Sequence, residues 1–181
     1  MSSKNIKKPL KVRLFIGILY SDNSKSVLDD VLKILIEKYG PLCRTSDEYS
    51  FSSITKYYDS ELGSGLKKRI YFFEKLIAPG DIVDIKLFCN KLEDKHRIIN
   101  SRTFNIDPGY LSMHNVVLVS TKNFTHRIYL DKNIYAEITL IFKKEGPHEL
   151  EWTYPDFRLT NIKNLFVEER KKLLNESIII N

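Results

Sequence analysis

Nine consecutive residues, Val12-Arg13-Leu14-Phe15-Ile16-Gly17-Ile18-Leu19-Tyr20, are apolar on both alternating faces with Arg13 the one charged member. A strand that leaves one face in water alternates polar and apolar residues. One that is apolar on both faces has to be covered on two sides. The chain must therefore build a central strand with packed layers above and below it. Gly17, in the middle of the run, predicts close approach by another backbone.

The segments around this strand supply such layers. Ser26, with Asp29 three residues on, reads as a capping-box-like helix start. Val27, Leu28, Val31, Leu32 and Leu35 then form an apolar face that Gly40-Pro41 ends. Residues 48–54 and 69–73 read as strands, separated by a loop over 57–65. Pro79-Gly80 and a capping Asp81 introduce a second helix over residues 82–97. Val116-Val117-Leu118-Val119 reads equally as a strand or as a short helix capped by Ser112. Residues 125–130 and 134–142 alternate and form a hairpin around Asp131-Lys132-Asn133. Its register pairs Leu130 with Ile134, Tyr129 with Tyr135, Ile128 with Ala136, Arg127 with Glu137 and His126 with Ile138. An aromatic turn over 152–157 precedes a C-terminal helix over 159–174. The expected fold is α+β: a single domain over residues 11–176, with a mixed or antiparallel sheet, two main helices and a C-terminal helix, arranged in a ferredoxin-like manner.

The formal charge of +6 resembles a nucleic-acid signal until it is located. Lys4, Lys7, Lys8, Lys11 and Arg13 all precede the first acidic residue, Asp22, which leaves the remainder at +1. The charge thus marks a basic flexible tail over residues 1–10 on a nearly neutral body. Cys43 and Cys89 are far apart with no CxxC spacing, as expected of two reduced thiols. The apolar stretches fall short of the ~20 residues of a membrane-spanning helix, and the N-terminus lacks the pattern of a signal peptide. A soluble cytoplasmic protein with no membrane partner is the expectation.

The sharpest polar chemistry lies between Asp107 and Leu140. His126 is the first candidate acid–base group, with Glu137 and Asp107 as candidate carboxylates. Arg127, opposite Glu137, is either half of a cross-strand ion pair or the holder of an anionic ligand. Lys86, Asn90 and Glu93 share one stripe of the second helix, either a solvated face or the polar wall of a pocket. Lys68 and Arg69 follow Gly63-Ser64-Gly65 and are candidate phosphate contacts, although GxxxxGK followed by Ser or Thr is absent. Tyr110 and Tyr135 complete the candidate ligand contacts. Asp107-Pro108-Gly109-Tyr110 reads as a tight turn. No nucleophile elbow, HExxH or Cys/His metal cluster occurs in the sequence, and no cofactor follows from it.

Several segments taken in order carry a resemblance. They are Leu14-Phe15-Ile16-Gly17-Ile18-Leu19-Tyr20-Ser21, Gly63-Ser64-Gly65-Leu66-Lys67-Lys68-Arg69, Asp84-Ile85-Lys86-Leu87 with Asn90 and Leu92-Glu93, and Asp107-Pro108-Gly109-Tyr110-Leu111. Thr121-Lys122 with His126-Arg127-Ile128-Tyr129-Leu130, Tyr135-Ala136-Glu137-Ile138-Thr139-Leu140 and Trp152-Thr153-Tyr154-Pro155-Asp156 complete the set. Together they resemble a prokaryotic domain-of-unknown-function family, numbered 4416. The resemblance implies a small single-domain protein and brings no established activity; a GTP-binding label sometimes attached to the family would need the Walker loop that this chain lacks. The function expected from the residues is binding of a small phosphorylated or carboxylated ligand, a nucleotide among the candidates, beside the 125–142 hairpin. The alternative is a non-catalytic module for RNA or a protein partner, using the basic tail and Tyr57, Tyr58 and Trp152.

Overall fold

Strand β1 (Val12–Tyr20) is buried at every position, as a strand apolar on both faces demands. The computed structural model describes residues 7–98 and 101–180. After β1 come α1 (Lys25–Tyr39), β2 (Leu42–Thr45), β3 (Tyr49–Ser50), the four-residue α2 (Asp59–Leu62), β4 (Lys67–Ile77) and α3 (Ile82–Lys95). Then follow β5 (Phe104–Leu111), β6 (Asn115–Ser120), β7 (Ile128–Asp131), β8 (Ile134–Lys143), β9 (Gly146–Glu149) and α4 (Thr160–Ile180).

All ladders of the nine-stranded sheet are antiparallel, in the order β2-β4-β1-β5-β6-β8-β7, with β3 beside β4 and β9 beside β8. Helix α1 joins β1 to β2 across β4, and α3 joins β4 to β5 across β1. Two interleaved split βαβ units in the order β2-β4-β1-β5 constitute the expected ferredoxin-like arrangement. Leu14, Ile16, Ile18 and Tyr20 pack against Leu28, Val31 and Leu35 of α1 and Ile82, Ile85 and Cys89 of α3. On the other face Phe15 meets Phe72, Phe157 and Phe166 at ring separations of 5.7, 6.3 and 5.0 Å, under α4. Three layers therefore enclose β1.

Local reading of the sequence fails at several places. Asp107-Pro108-Gly109-Tyr110 is no turn; it lies inside β5. Pro108 lies opposite Ile16 of β1 but, like Ile106 two residues back, turns its backbone nitrogen away from β1, to the side where the β5–β6 ladder covers only Gly109, Tyr110 and Leu111. Gly109 is required by packing: a Cβ there would lie 2.4 Å from both Phe15 Cζ and the Val117 carbonyl. The nearest neighbour of Gly17 is the Lys68 side chain, and the Asp107 backbone carbonyl stands at ordinary contact distance. Helix α1 starts at Lys25, before Ser26, and Ser24 Oγ donates to the Thr103 carbonyl at 2.8 Å. Asp81 stands at the start of α3 but accepts from Ala78 N–H at 2.9 Å. The 48–54 strand shrinks to β3, part of the 57–65 loop is α2, and β2 was not anticipated, being four residues without alternation. Residues 115–120 resolve as strand β6. In the hairpin Ile128 pairs with Ala136 and Tyr129 with Tyr135 as expected, but Asp131, not Leu130, faces Ile134. The turn is two residues, Lys132 and Asn133, with φ of 49° and 61°, and a shift at Leu130 absorbs the difference.

Candidate ligand-binding cleft

The site begins where β5 parts from β6. The half of β5 before Gly109 has β1 on one side and, among the described residues, no strand on the other. Side chains of α3 take the place of that strand. Ile106 N–H donates to Glu93 Oε1 at 2.5 Å, and the Ile106 carbonyl accepts from Lys86 Nζ at 2.9 Å. Backbone groups left unpaired there would cost about 1–3 kcal/mol each. This explains how a lysine and a glutamate of one helix come to be only 6% and 5% exposed. The divergence of the strands opens a cleft of about 1020 Å³ between α3, β5, β6, the hairpin and the 152–157 turn.

Charged groups in matched pairs make its floor. Lys68 crosses Gly17 and donates from Nζ to Asp156 Oδ2 at 2.6 Å; Tyr49 OH donates to the same oxygen at 3.0 Å. The Lys68 ammonium also lies 5.3 and 5.4 Å from the rings of Phe51 and Phe157. Asp107 accepts from Lys86 at 3.3 Å and from Asn105 Nδ2 at 2.5 Å, and its side chain stays one-third exposed toward the cleft. Burial pushes the Asp107 carboxyl up, but Lys86 and Lys68 together with its hydrogen bonds outweigh that and hold it below the usual aspartate value. Glu93 goes the other way, raised by burial beyond what Lys86 offsets. Arg102 grips Glu61 with two bonds of 2.6 and 2.8 Å and reaches Glu93 at 3.0 Å and Asn105 at 2.6 Å.

The hairpin supplies the opposite wall. Glu137 Oε2 accepts from Arg127 Nε at 2.7 Å and from His126 Nε2 at 2.9 Å. His126 was expected on the other face from Arg127. The two converge because the chain leaves the ladder before Ile128, in a turn closed by Arg127 N–H to the Phe124 carbonyl at 3.0 Å. Arg127 also donates to Ser120 Oγ at 3.3 Å, the Lys122 carbonyl at 2.8 Å and Tyr154 OH at 2.8 Å. Four of its five N–H groups are thereby engaged. The His126 ring stacks on Trp152 at 4.9 Å and 6°, and Trp152 Nε1 is anchored by the Ile138 carbonyl at 2.9 Å. A carboxylate that accepts the Nε2–H leaves Nδ1 as the basic nitrogen of His126. The Tyr154 hydroxyl is pushed up to about 12, by burial first and then by the Glu137 charge, against Arg127.

Seven of the ten candidates from the sequence line this one cleft: His126, Glu137, Asp107, Arg127, Lys86, Asn90 and Lys68. Three do not. Arg69 faces Glu48 at 3.8 Å, Tyr110 packs against the core under α1 and α3, and Tyr135 meets Tyr129 on the hairpin at 5.5 Å. Arg102, Asn105, Asp156 and Lys122 also line the cleft and were not among the candidates. The first two flank Asp107 closely in sequence, and Asp156 lay in a segment read only as an aromatic turn.

Among the described residues no group of three or more His, Cys, Asp or Glu could hold a metal ion, and no helix is long and apolar enough to cross a membrane. The family described as Domain of unknown function (DUF4416) matches residues 10–173. No curated protein and no solved structure matches the chain.

Proposed function

The chain belongs to the DUF4416 family, a membership that brings no activity, and from the cleft itself we propose that it binds a small carboxylated or phosphorylated ligand, with His126 as the acid–base group. The observation that carries this reading is the convergence of groups from β4, α3, β5, the hairpin and the 152–157 turn on one cleft whose lysines retain donors. Lys68 has three N–H groups and gives one to Asp156. Lys122 donates to Tyr57 OH at 3.1 Å and has no carboxylate within ion-pair distance among the described residues. Of the two readings of Arg127, its contacts favour the ion pair: its engaged donors position Glu137 and the hairpin, and Lys122 receives the anion.

Six cationic and six acidic side chains line the cleft. A balanced lining suits a ligand with one acidic group better than a polyphosphate chain, whose charge would need an excess of cations. Tyr57, Tyr58 and Tyr154 offer flat apolar surface for a ring, so a nucleoside monophosphate stands among the candidates. The free Cys43 and Cys89 thiols support a reducing, cytoplasmic setting.

The experiment is a thermal-shift screen of carboxylates, monophosphates and nucleotides, repeated on Lys122→Gln and His126→Gln. The reading expects a stabilising hit whose shift shrinks in Lys122→Gln. A panel without a hit, or a hit unchanged in both variants, contradicts it.

A further inference from the structure

A second groove, of about 830 Å³, lies on a different face of α3 from the cleft, between that helix, the end of α1 and the end of β4. Among the described residues its rim carries Lys11, Lys38, Lys75, Lys91 and Lys132 against Asp81 and Asp84. Lys132 is paired with Asp84 at 2.7 Å. Among the described residues the other four lysines have no carboxylate within ion-pair distance. All four are exposed. Gathered around one groove on a body that is otherwise nearly neutral, they repel one another and concentrate anions.

The floor is apolar and aromatic, with Tyr39 and Phe88 edge to face at 5.9 Å and Lys38 Nζ riding 4.5 Å above the Phe88 ring. Positive charge also continues out of the groove: Lys11 leads back to Lys8 and Lys7, both exposed, and in sequence to Lys4. A compact phosphate needs one or two cations. Unpaired lysines along an aromatic floor, continued by a basic segment, match instead a row of phosphates whose bases lie on apolar surface. We propose that this groove binds single-stranded nucleic acid without sequence preference, independently of the ligand cleft.

The test is fluorescence anisotropy of a labelled 12-nucleotide RNA of mixed sequence with the full chain. About four to five phosphate contacts predict a log–log salt slope of about −3, a loss of about 60-fold between 50 and 200 mM salt. Replacing Lys38, Lys75 and Lys91 by Gln should weaken binding at least ~tenfold and cut the slope by about 2. Lys91→Glu alone is the second variant, expected to weaken binding severalfold. No anisotropy change at 50 mM salt overturns the proposal. So does binding that survives both lysine variants but disappears on deletion of residues 1–9, which would assign it to the tail. Phosphatidylserine vesicles are the comparison arm: binding to them without binding to RNA would overturn the proposal in favour of a lipid surface.

Discussion

Lys68 crosses the bare Cα of Gly17: a Cβ there would stand 3.0 Å from Lys68 Cε. That route brings the ammonium to Asp156, so a backbone hydrogen on the central strand decides where a cleft cation sits. The end of a lysine can give way, whereas a ring in the core or a carbonyl in a ladder cannot. Gly17→Ala should therefore cost below about 1 kcal/mol, while Gly109→Ala, set against Phe15 and the Val117 carbonyl, should cost about 2–3 kcal/mol. Urea denaturation checks the contrast; equal losses would mean that Gly109 is not held by packing.

Lys86→Met removes a partner of the Ile106 carbonyl and of Asp107 at once. The lysine is buried, but Asp107 is one-third open to solvent, which screens part of the loss. A cost of about 2–3 kcal/mol is expected, less than the 3–5 of a fully buried pair. A neutral result in urea would show that α3 does not stand in for the missing strand.

Acid should expose the Asp107 contribution. Its folded carboxyl titrates below the usual value, so its ion pairs stabilise the fold above the unfolded aspartate pKa of about 3.9 and are lost as pH falls through the folded value. Asp107→Asn should be less stable than the parent near pH 6, and the gap should narrow toward pH 3. Glu93, raised chiefly by burial and in part by the Asp107 charge, contributes the opposite slope, which Asp107→Asn reduces without removing. A gap constant from pH 6 to pH 3 would contradict the ionised state of Asp107.

Arg127→Ala should destabilise the protein by about 2–3 kcal/mol, because it frees the buried Glu137 and unties Ser120, the Lys122 carbonyl and Tyr154. Read as a simple cross-strand pair it would have been worth at most ~1 kcal/mol. Arg127→Lys should recover little, since a single ammonium cannot span four acceptors. Full rescue by lysine would reduce the role of Arg127 to its charge.

The elements legible in the sequence are those whose periodicity agrees with their place. The double-faced run Val12–Tyr20 demanded two covering layers, and the apolar faces of α1 and α3 supplied one of them. Asp107-Pro108-Gly109 misleads because its turn-forming residues are accommodated by distant partners: Phe15 and Val117 at Gly109, and Lys86 and Glu93 at Ile106. The candidate site divides the same way. Arg127 and Glu137 are brought together by hairpin spacing, whereas His126, which that spacing puts on the other face, joins them through the turn before Ile128. Arg102 meets Glu61 41 residues away and Lys68 meets Asp156 88 residues away, pairings that only the folded topology creates.

Calorimetric titration of the best screening hit decides whether the cleft holds a ligand with Lys122 as an anion contact. Lys122 is exposed, so Lys122→Gln should unfold at the parental temperature. Affinity should be at least ~tenfold weaker in that variant, the ~1.5–3 kcal/mol of a charge-assisted hydrogen bond. Parental affinity in Lys122→Gln, with parental stability, would contradict it.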